Sequence, residues 1–347
     1  MTMIKTPEPM TETPPSPLVT DKADLLSDVL SHVRLAGAMF LRGEYSAPWS
    51  LDSPDAADLV ALLAPGAERL ILFHIINEGS VWVSAGGERV EAEAGDIVVL
   101  PHAHRHLMGS AEPAKPVTIA DLLPPPPWEG VPFCRLDGGG QRTGIVCGYL
   151  RCEELLFNSF LRRLPPIFRV RPTPGPAKEW MQACVTYALD ESMHSRQGGA
   201  TLRARLPELL LMEALRLYCE QTPPDTGWLA AISDPVVGRA LAFLHAEPAR
   251  KWTVETLARA AATSRSVLDE RFRNLLGQPP IHYLAEWRMQ RAAGLLRATR
   301  LTLAAVAEQA GYGSEEAFSR AFRRYLGRSP GQWREANGMQ SAAFYSA

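Results

Sequence analysis

Arginine, serine and carboxylate side chains recur at the same spacing in two stretches near the C-terminal end of this sequence. The first stretch, TVETLARAAATSRSVLDERFRNLLGQPP, begins at Thr253, and the second, TLAAVAEQAGYGSEEAFSRAFRRYLGRSP, begins at Thr302. Guanidinium groups bind phosphate, and hydroxyl, guanidinium and carboxylate groups can form hydrogen bonds with the edges of base pairs. The chemistry that these residue types offer is recognition of DNA. The predicted contact residues are Ser264, Arg265, Ser266, Asp269, Arg271, Arg273, Ser314, Glu315, Glu316, Ser319, Arg320, Arg323 and Arg324.

The two stretches are copies of one another, and each predicts a helix-turn-helix. Thr253 matches Thr302 before the turn and Ser264 matches Ser314 after it, so the second copy has one additional residue in the turn. A short helix with small alanine side chains comes first. The serine then caps a second helix by accepting a hydrogen bond from its free amide groups. This second helix is the element that would enter the major groove.

Apolar residues in the copies predict which helix faces are buried. Leu268 and Phe272 in the first copy, and Phe318 and Phe322 in the second, lie one helical turn apart and should face inward. Between the copies, residues 281–299 form a continuous amphipathic pattern that is typical of a connecting helix. Such a helix would hold the two major-groove helices a fixed distance apart, roughly one helical turn of DNA.

Charge is distributed unevenly along the chain. The whole sequence has 36 Lys and Arg against 38 Asp and Glu, whereas residues 234–335 contain 16 basic and 10 acidic residues. The C-terminal part is therefore basic and the remainder acidic. This asymmetry favours a polyanionic partner at the C-terminal end only.

The rest of the composition indicates a cytoplasmic protein. No stretch approaches the roughly 18 unbroken apolar residues that a membrane helix needs. Proline and threonine occupy the N-terminus where a signal peptide would have an apolar core. The five cysteines are scattered and include no CxxC pair, which is typical of a protein from a reducing compartment.

Residues 234–334 resemble the DNA-binding domain of the AraC/XylS family of transcription regulators. The resemblance is carried by RALAFLHAEPARKWTVETLARAA, by PPIHYLAEWRMQRAAGLL and above all by LAAVAEQAGYGSEEAFSRAFRRYLGRSPGQWR. It implies double-stranded DNA as a partner, contact with RNA polymerase, and recognition helices at about 264–276 and 314–325. The first copy departs from the family pattern, because its turn reads AAT and its recognition helix carries Asp269 and Glu270. Carboxylates there would repel phosphate, so the first copy would either add less affinity or read cytosine amino groups.

Histidine residues in the N-terminal part offer a second chemistry. The stretch GDIVVLPHAHRH resembles the second motif of the cupin family, with Gly95, Pro101 and His106 at its spacing and an alanine in place of the usual glycine. The first cupin motif is matched only by its closing glycine. Its histidine pair is absent, and Leu72 stands in place of its metal-binding carboxylate. A catalytic metal site with three histidines is therefore not predicted.

Two interpretations of the interior histidines stay open. His74 and His106 should point into the same interior, where Cys134 or Cys147 could complete a structural zinc site, since thiolate and imidazole suit that ion. Alternatively, they are hydrogen-bonded barrel histidines and the cysteines are small core residues. A metal-dependent cupin enzyme with a helical accessory domain is the alternative function, but it needs a complete ligand set. We expect no enzyme activity, and no cofactor other than such a zinc ion.

Short strand-like runs separated by turn residues extend from about residue 25 to 152, among them LILFHII, SVWVSA, ERVEAEA and DIVVLP. This pattern is typical of a sandwich or barrel, and helical spacing follows over about 177–221. The whole stretch resembles the cupin-type sensor half of a subgroup of AraC-type regulators. That resemblance implies a small-molecule effector, and we expect a homodimer. The predicted effector pocket is lined by Phe73, His74, Trp82 and His106, with Trp128 and Phe133 as further aromatic candidates.

These observations predict an α+β protein in two parts. An N-terminal cupin-like β-barrel with flanking helices precedes an all-α C-terminal domain with two helix-turn-helix motifs. The predicted segments are a disordered tail at 1–20, a cupin-like sensor and dimerisation domain at 21–222, a linker at 223–233, the double helix-turn-helix domain at 234–336 and a tail at 337–347.

Overall fold

The computed structural model describes residues 25–26, 35–124, 128, 130–152, 161–194, 199–221 and 226–337. Both predicted tails lie outside these residues, apart from Asn337 at the end of the last helix. No helix in the described ranges has the length and apolar character needed to span a lipid bilayer.

Eleven strands in the described part of the chain form two sheets. They are β1 (Ala36–Ser46), β2 (Ser50–Ser53), β3 (Arg69–Glu78), β4 (Ser80–Ala85), β5 (Glu88–Glu93), β6 (Ile97–Leu100), β7 (His106–Gly109), β8 (Val117–Thr118), β9 (Phe133–Asp137), β10 (Arg142–Cys152) and β11 (Phe168–Val170). One sheet has the order β11-β6-β3-β10-β1-β9, and the other has the order β5-β4-β7-β2-β8. The four runs predicted as strands are β3 to β6, so that prediction is confirmed.

Twelve helices accompany the sheets in the described residues. They are α1 (Ala56–Leu63), α2 (Ile119–Leu122), α3 (Pro176–His194), α4 (Gly199–Gln221), α5 (Trp228–Ser233), α6 (Val237–Ala246), α7 (Val254–Ala260), α8 (Arg265–Leu276), α9 (Pro280–Ala298), α10 (Leu303–Gln309), α11 (Glu315–Leu326) and α12 (Pro330–Asn337). The predicted α+β class is confirmed: a sheet-rich N-terminal part with helices precedes a helical C-terminal part.

Strand β3 lies at the centre of the N-terminal part and is buried on both faces. Leu72 and Ile76 face the other sheet, where they join the apolar core between the two sheets. Ile71 and Phe73 point to the opposite face, where α3 and α4 pack. Because side chains alternate along a strand, His74 shares the inner face with Leu72.

Helices α3 and α4 cover the outer face of the six-stranded sheet. Leu210, Leu211 and Leu215 of α4 are buried there. The same helix leaves Leu202 and Leu209 exposed on another face. Helix α4 therefore has apolar residues on more sides than its contact with the sheet can bury.

The linker predicted at 223–233 is only partly present. Residues 228–233 form the helix α5, and Trp228 and Leu229 are buried against the helix-turn-helix helices. The Trp228 indole N–H donates a hydrogen bond to the Tyr283 hydroxyl at 2.9 Å. The C-terminal helical unit thus begins at α5, because WLAAIS is apolar enough to pack even though a proline-rich segment precedes it. The first residues of the predicted linker, 223–225, lie outside the described ranges.

The two helix-turn-helix units belong to different apolar cores. The first unit, made of α7 and α8, shares one continuous cluster of buried residues with the outer face of the six-stranded sheet and with α4. The second unit, made of α10 and α11, packs with the end of α9 in a separate cluster. The first unit is therefore joined to the N-terminal domain, whereas the second is not part of that core.

Candidate nucleic-acid interface and interior of the N-terminal domain

Serine side chains cap both recognition helices, α8 and α11, at the predicted positions. The Ser264 hydroxyl accepts a hydrogen bond from the Val267 amide at 3.3 Å, and the Ser314 hydroxyl accepts one from the Ala317 amide at 3.2 Å. Each helix ends at a glycine in the left-handed conformation. A cap of this kind stabilises a helix by about 1 kcal/mol. The two recognition helices therefore begin and end at matching residues of the repeat.

The inward faces of the recognition helices are also as predicted. Leu268 and Phe272 of α8, and Phe318 and Phe322 of α11, are fully buried. The rings of Phe318 and Phe322 lie 5.4 Å apart, and the Phe322 ring meets the Trp333 indole edge-on at 6.0 Å. These contacts fix the rotation of each helix, so the opposite face is directed to solvent.

The turns of the two units place a different residue in the same strained conformation. Ala262 has a φ of 53°, and the matching Gly311 has a φ of 76°. A left-handed backbone costs a residue with a Cβ roughly 1–2 kcal/mol. At Gly311, a Cβ would also lie only 2.7 Å from the Ala249 Cα. The glycine in the second copy is therefore required by conformation and by space.

Helix α11 exposes three arginines that make no ion pair with any described residue. Arg320, Arg323 and Arg324 are all exposed and lie on one face of the helix. The Arg324 guanidinium lies 5.4 Å from the centre of the Tyr325 ring, and the other two extend towards solvent. This face has the charge and exposure that phosphate contacts require.

Polar residues occupy the N-terminal turn of the same helix. Ser314, Glu315 and Glu316 are exposed, and Ser319 is half-buried one turn later. The pKa of Glu316 is lowered by hydrogen bonds from its own backbone amide and from the Ser314 hydroxyl, and to a smaller extent by Arg320. The Glu316 carboxylate is thus stabilised by a free amide of the helix start.

Helix α8 holds its arginine side chains in ion pairs. Arg265 Nη1 lies 2.7 Å from Glu255 Oε1 on α7, and Arg273 Nε lies 2.8 Å from Asp269 Oδ2 within α8. Ser266 is exposed beside them. Exposed pairs of this kind add little stability, but they cancel the charge that the arginines would otherwise present to DNA.

Arg271 is directed towards the protein rather than towards the face formed by the other predicted contact residues. Its Nη1 lies 2.8 Å from Asp234 Oδ2. Asp234 also accepts hydrogen bonds from the amides of Val236 and Val237 at the start of α6. In the repeat, Arg271 matches the buried Ala321. We therefore assign Arg271 to holding α6 against α8, and not to DNA contact.

The predicted contact residues do not include Glu270 of α8, although the sequence already marks it as a carboxylate that would repel phosphate or read a cytosine amino group. Glu270 makes no hydrogen bond or ion pair with any of the described residues, and it matches Arg320 in the repeat. Together with Ser266 and Asn274, it lines an open groove of about 690 Å³ beside α8. Alignment of the two copies is the signal in the sequence that identifies it.

A chain of hydrogen-bonded side chains lies in the interior of the N-terminal domain. Cys147 Sγ is 2.9 Å from His74 Nδ1, and His74 Nε2 is 3.0 Å from His106 Nε2. His106 Nδ1 is 3.1 Å from the carbonyl oxygen of His104. A carbonyl can only accept, so His106 donates from Nδ1, His74 donates from Nε2, and Cys147 donates from Sγ. All groups in the chain are thereby satisfied in their neutral forms.

Burial keeps these groups neutral. Desolvation lowers the pKa of His106 to about 4 and the pKa of His74 well below its usual value. Desolvation also raises the pKa of the Cys147 thiol above its usual range, with a further contribution from Cys134. At neutral pH the interior therefore contains two uncharged imidazoles and a protonated thiol.

The predicted zinc site is not assembled. Both ring nitrogens of His74 are engaged, one with Cys147 and the other with His106, while the Cys134 thiol donates to the Leu122 carbonyl at 3.4 Å. Within the described ranges, no group of three or more His, Cys, Asp or Glu side chains could hold a metal ion. The interpretation as hydrogen-bonded barrel histidines is the one that fits. The described residues provide a ligand set neither for zinc nor for the alternative metal enzyme.

The four residues predicted to line an effector pocket do not meet. Phe73 neighbours His74 on β3 and therefore lies on the opposite face, in the core under the helices. Trp82 is on the outer face of β4, where the Arg89 guanidinium lies 4.6 Å from its ring. Only His74 and His106 share the interior. Strand alternation, which already predicts the direction of His74, excludes its neighbour from the same pocket.

Of the two further aromatic candidates, Trp128 packs against the core between the sheets, whereas Phe133 is on the surface. Phe133 is exposed, with the Arg42 guanidinium 5.6 Å from its ring. Trp128 is half-buried, and its indole N–H donates to the Pro124 carbonyl at 2.8 Å. Neither residue is among the hydrogen-bond or ring-contact partners of His74 and His106 in the described part of the chain.

A loop of the N-terminal domain contacts the end of the first recognition helix. Arg163 Nη1 lies 3.5 Å from the Leu275 carbonyl oxygen, and the guanidinium fills the space beside Gly277. A cation at this end of a helix interacts favourably with the helix dipole. The adjacent Leu164 carbonyl lies 2.9 Å from His102 Nε2 in the turn between β6 and β7. The contact thus connects α8 with the rim of the sheets.

Comparison with known proteins gives the same division of the chain. A cupin family model matches residues 24–220, and a helix-turn-helix domain model matches residues 257–336. A protein of Streptomyces lividans named as an AraC-like transcription regulator is 38% identical over 283 residues, which cover 78% of this chain and 88% of the relative.

Two further proteins illustrate the range of similarity. The HTH-type transcriptional regulator AlkR of Acinetobacter baylyi is 26% identical over 317 residues, covering 90% of this chain and 99% of the relative. The crystal structure of the DNA-binding domain of AdpA in complex with a target DNA is 36% identical. It covers 30% of this chain and 92% of that chain, with a TM-score of 0.29.

Proposed function

Because the chain belongs to the AraC family of DNA-binding transcription regulators, with a cupin domain before its helix-turn-helix domain, we propose that α11 supplies most of its affinity for DNA. In this proposal both recognition helices enter the major groove of one duplex, about one helical turn apart. The observation that carries the proposal is the exposed face of Arg320, Arg323 and Arg324, which make no ion pair with a described residue.

Helix α8 has a smaller share of the affinity in this proposal. Arg265 and Arg273 would have to give up ion pairs with Glu255 and Asp269 before they could contact phosphate. The unpaired Glu270 on the same face repels phosphate. The first unit therefore contributes position and sequence preference more than attraction.

We propose that the N-terminal domain binds a small-molecule effector and a second copy of the chain. The chain of Cys147, His74 and His106 provides the polar groups that a ligand between the sheets would use, since binding sites combine apolar walls with a few polar groups. The exposed Leu202 and Leu209 of α4 support a homodimer, because a packed interface would remove this apolar surface from water. As a regulator of transcription, the protein would work in the cytoplasm, where it meets RNA polymerase.

DNA binding is tested with the full chain on an operator obtained by sequencing the genomic fragments that the protein retains. We expect Arg320→Ala to weaken specific binding by tenfold or more, and Arg324→Ala to weaken binding to all sequences with a salt slope reduced by about 1. Arg89→Ala, at an exposed arginine of β5 that stacks on Trp82, is the matched control. Unchanged affinity for both α11 variants would overturn the placement of this helix in the groove.

The homodimer is tested by sedimentation equilibrium. Leu202→Glu combined with Leu209→Glu should shift the protein to the monomer, because a buried interface does not tolerate unpaired carboxylates. The control is Phe133→Glu, an exposed apolar residue on β9. A monomeric wild-type chain, or a double variant that remains dimeric, would exclude this face.

A further inference from the structure

We infer that Glu270 reads a cytosine in the half-site under α8, whereas Arg320 reads a guanine at the matching place under α11. The inference rests on the proposed function, because it requires both recognition helices to lie in the major groove. It adds a sequence preference for the operator, and it gives the unpaired carboxylate of α8 a role in base recognition.

Glu270 and Arg320 are at the same position of equivalent helices. Each is the sixth residue of a twelve-residue helix that starts after a capping serine and ends at a left-handed glycine. The apolar residues that fix the rotation of the helices also match, so both side chains project from the same place on the reading face. A carboxylate in one copy and a guanidinium in the other therefore face base pairs from equivalent positions.

Glu270 is the carboxylate of α8 that remains available for a base. The neighbouring Asp269 already accepts from Arg273 at 2.8 Å, so its interaction is satisfied within the helix. Glu270 has no partner among the described residues, and it lines the open groove beside Ser266 and Asn274. A free carboxylate on this face repels the phosphate backbone, and a hydrogen bond with a base amino group compensates for that repulsion.

Base-edge chemistry selects cytosine for a carboxylate. A carboxylate only accepts hydrogen bonds, and in the major groove cytosine presents its N4 amino donor. Adenine also has an amino donor, but its N7 acceptor lies beside it and suits an amide rather than a carboxylate. Guanine presents only acceptors, N7 and O6, which suit the guanidinium of Arg320.

The operator should therefore contain a cytosine and a guanine at corresponding positions of its two half-sites, about one helical turn apart on the strand that both helices read. Substitution of Glu270 or Arg320 should change the preferred base in the half-site that the residue contacts and leave the preferred base in the other half-site unaltered. This independence follows from the separate apolar cores of the two units.

The test is selection from a randomised duplex pool by the full chain, with sequencing of the bound fraction. Glu270→Arg should change the preferred base in the first half-site from cytosine to guanine, and Glu270→Gln should change it to adenine. Glu270→Ala should remove a preference of about tenfold at that position. Arg320→Glu is the matched converse and should change guanine to cytosine in the second half-site. Glu112→Arg, in an exposed loop of the N-terminal domain, controls for the change in net charge.

The outcomes separate the inference from the proposed function. If the wild-type chain enriches no sequence, the proposed function fails. If the wild-type chain enriches an operator and every Glu270 variant enriches the same bases in the first half-site, DNA binding stands and the role of Glu270 is refuted. A base change confined to the first half-site in the Glu270→Arg variant supports the inference.

Discussion

The two helix-turn-helix units have the same caps and the same core positions, yet they differ in what holds them and in what they expose. The first unit is part of one apolar core with the N-terminal domain, and Arg163 contacts the end of its recognition helix. The second unit has its own core, and the space at Gly327, which matches Gly277, is open. The unit that contacts the sensor has paired charges, whereas the other exposes three arginines.

This difference suggests a division of labour within one domain. A unit with little net attraction for DNA adds affinity only when it is held in register with its neighbour. In the proposed function, the N-terminal domain would control binding by positioning the first unit, while the second unit would keep the protein on the duplex. In thermodynamic terms, an effector would shift the population of chains whose first unit is correctly placed.

Acidification should have the largest effect on stability, and it should destabilise the first helix-turn-helix unit at a higher pH than the second. His106 has a folded pKa of about 4 against an ordinary value of 6.5, so the unfolded chain takes up the proton first as the pH falls. The contribution of neutral His106 to the free energy of unfolding is fully present above pH 6.5. It declines between pH 6.5 and 4, by on the order of 3 kcal/mol. Hydrogen exchange between pH 7 and 4.5 should show α8 losing protection while α11 retains it.

His106→Gln is the control for acidification, since it removes one of the two buried imidazoles and should reduce the pH dependence of the melting temperature of the N-terminal domain, to which His74 still contributes. Equal loss of protection in α8 and α11 would show that the first unit does not depend on the sensor. A melting temperature that is constant down to pH 4.5 would contradict the neutral histidine chain.

Substitution of the turn residues Gly311 and Ala262 tests whether the stability of each unit depends on the conformation of its turn. Gly311→Ala should destabilise the second unit by about 2 kcal/mol, because the Cβ is strained by the backbone and crowded by Ala249. Ala262→Gly should stabilise the first unit by about 0.5 kcal/mol, since relief of strain exceeds the entropy that glycine adds to the unfolded chain. Urea unfolding measures both, and a stable Gly311→Ala protein would contradict the turn geometry.

Loss of the Arg163 contact should have the smallest effect and should be confined to the first unit. Arg163→Ala removes a cation from the end of α8 at a cost of about 0.5–1 kcal/mol. Amide exchange should increase in the last turn of α8 and at Gly277, and it should be unchanged at Gly327. Arg162→Ala, an exposed neighbour in the same loop, is the matched control. Faster exchange in both units would contradict the separation of the two cores.

Many similarities and differences between the two helix-turn-helix units can be predicted from the sequence, because the two units are copies of one repeat. Alignment of the copies predicts the capping serines and the inward phenylalanines. It also shows that Glu270 and Arg320 occupy equivalent positions. The same alignment matches Arg271 with the buried Ala321, although inspection of one copy alone placed Arg271 among the DNA contacts. A position of the repeat that is apolar in one copy, such as Ala321, therefore indicates that the matching residue of the other copy contacts the protein.

Other features depend on tertiary contacts that local patterns do not encode. The ion pair of Arg265 with Glu255 joins two helices, and the contact of Arg163 with Leu275 joins two domains. The alternation of β3 predicts the direction of His74, but it does not predict that Cys147 on β10 lies in register with it. Only the register of β3 with β10 shows that Cys147 forms a hydrogen bond with His74 instead of completing a zinc site with it.

The salt dependence of operator binding tests most directly whether α11 supplies most of the affinity. Each phosphate contact contributes about 0.9 to the slope of log Kobs against log salt concentration. We predict that replacing Arg323 and Arg324 with alanine reduces the slope by about 2, whereas replacing Arg265 and Arg273 reduces it by less than 1. An equal reduction in the two double variants, or a larger one for the α8 variant, would contradict the proposed division between the units.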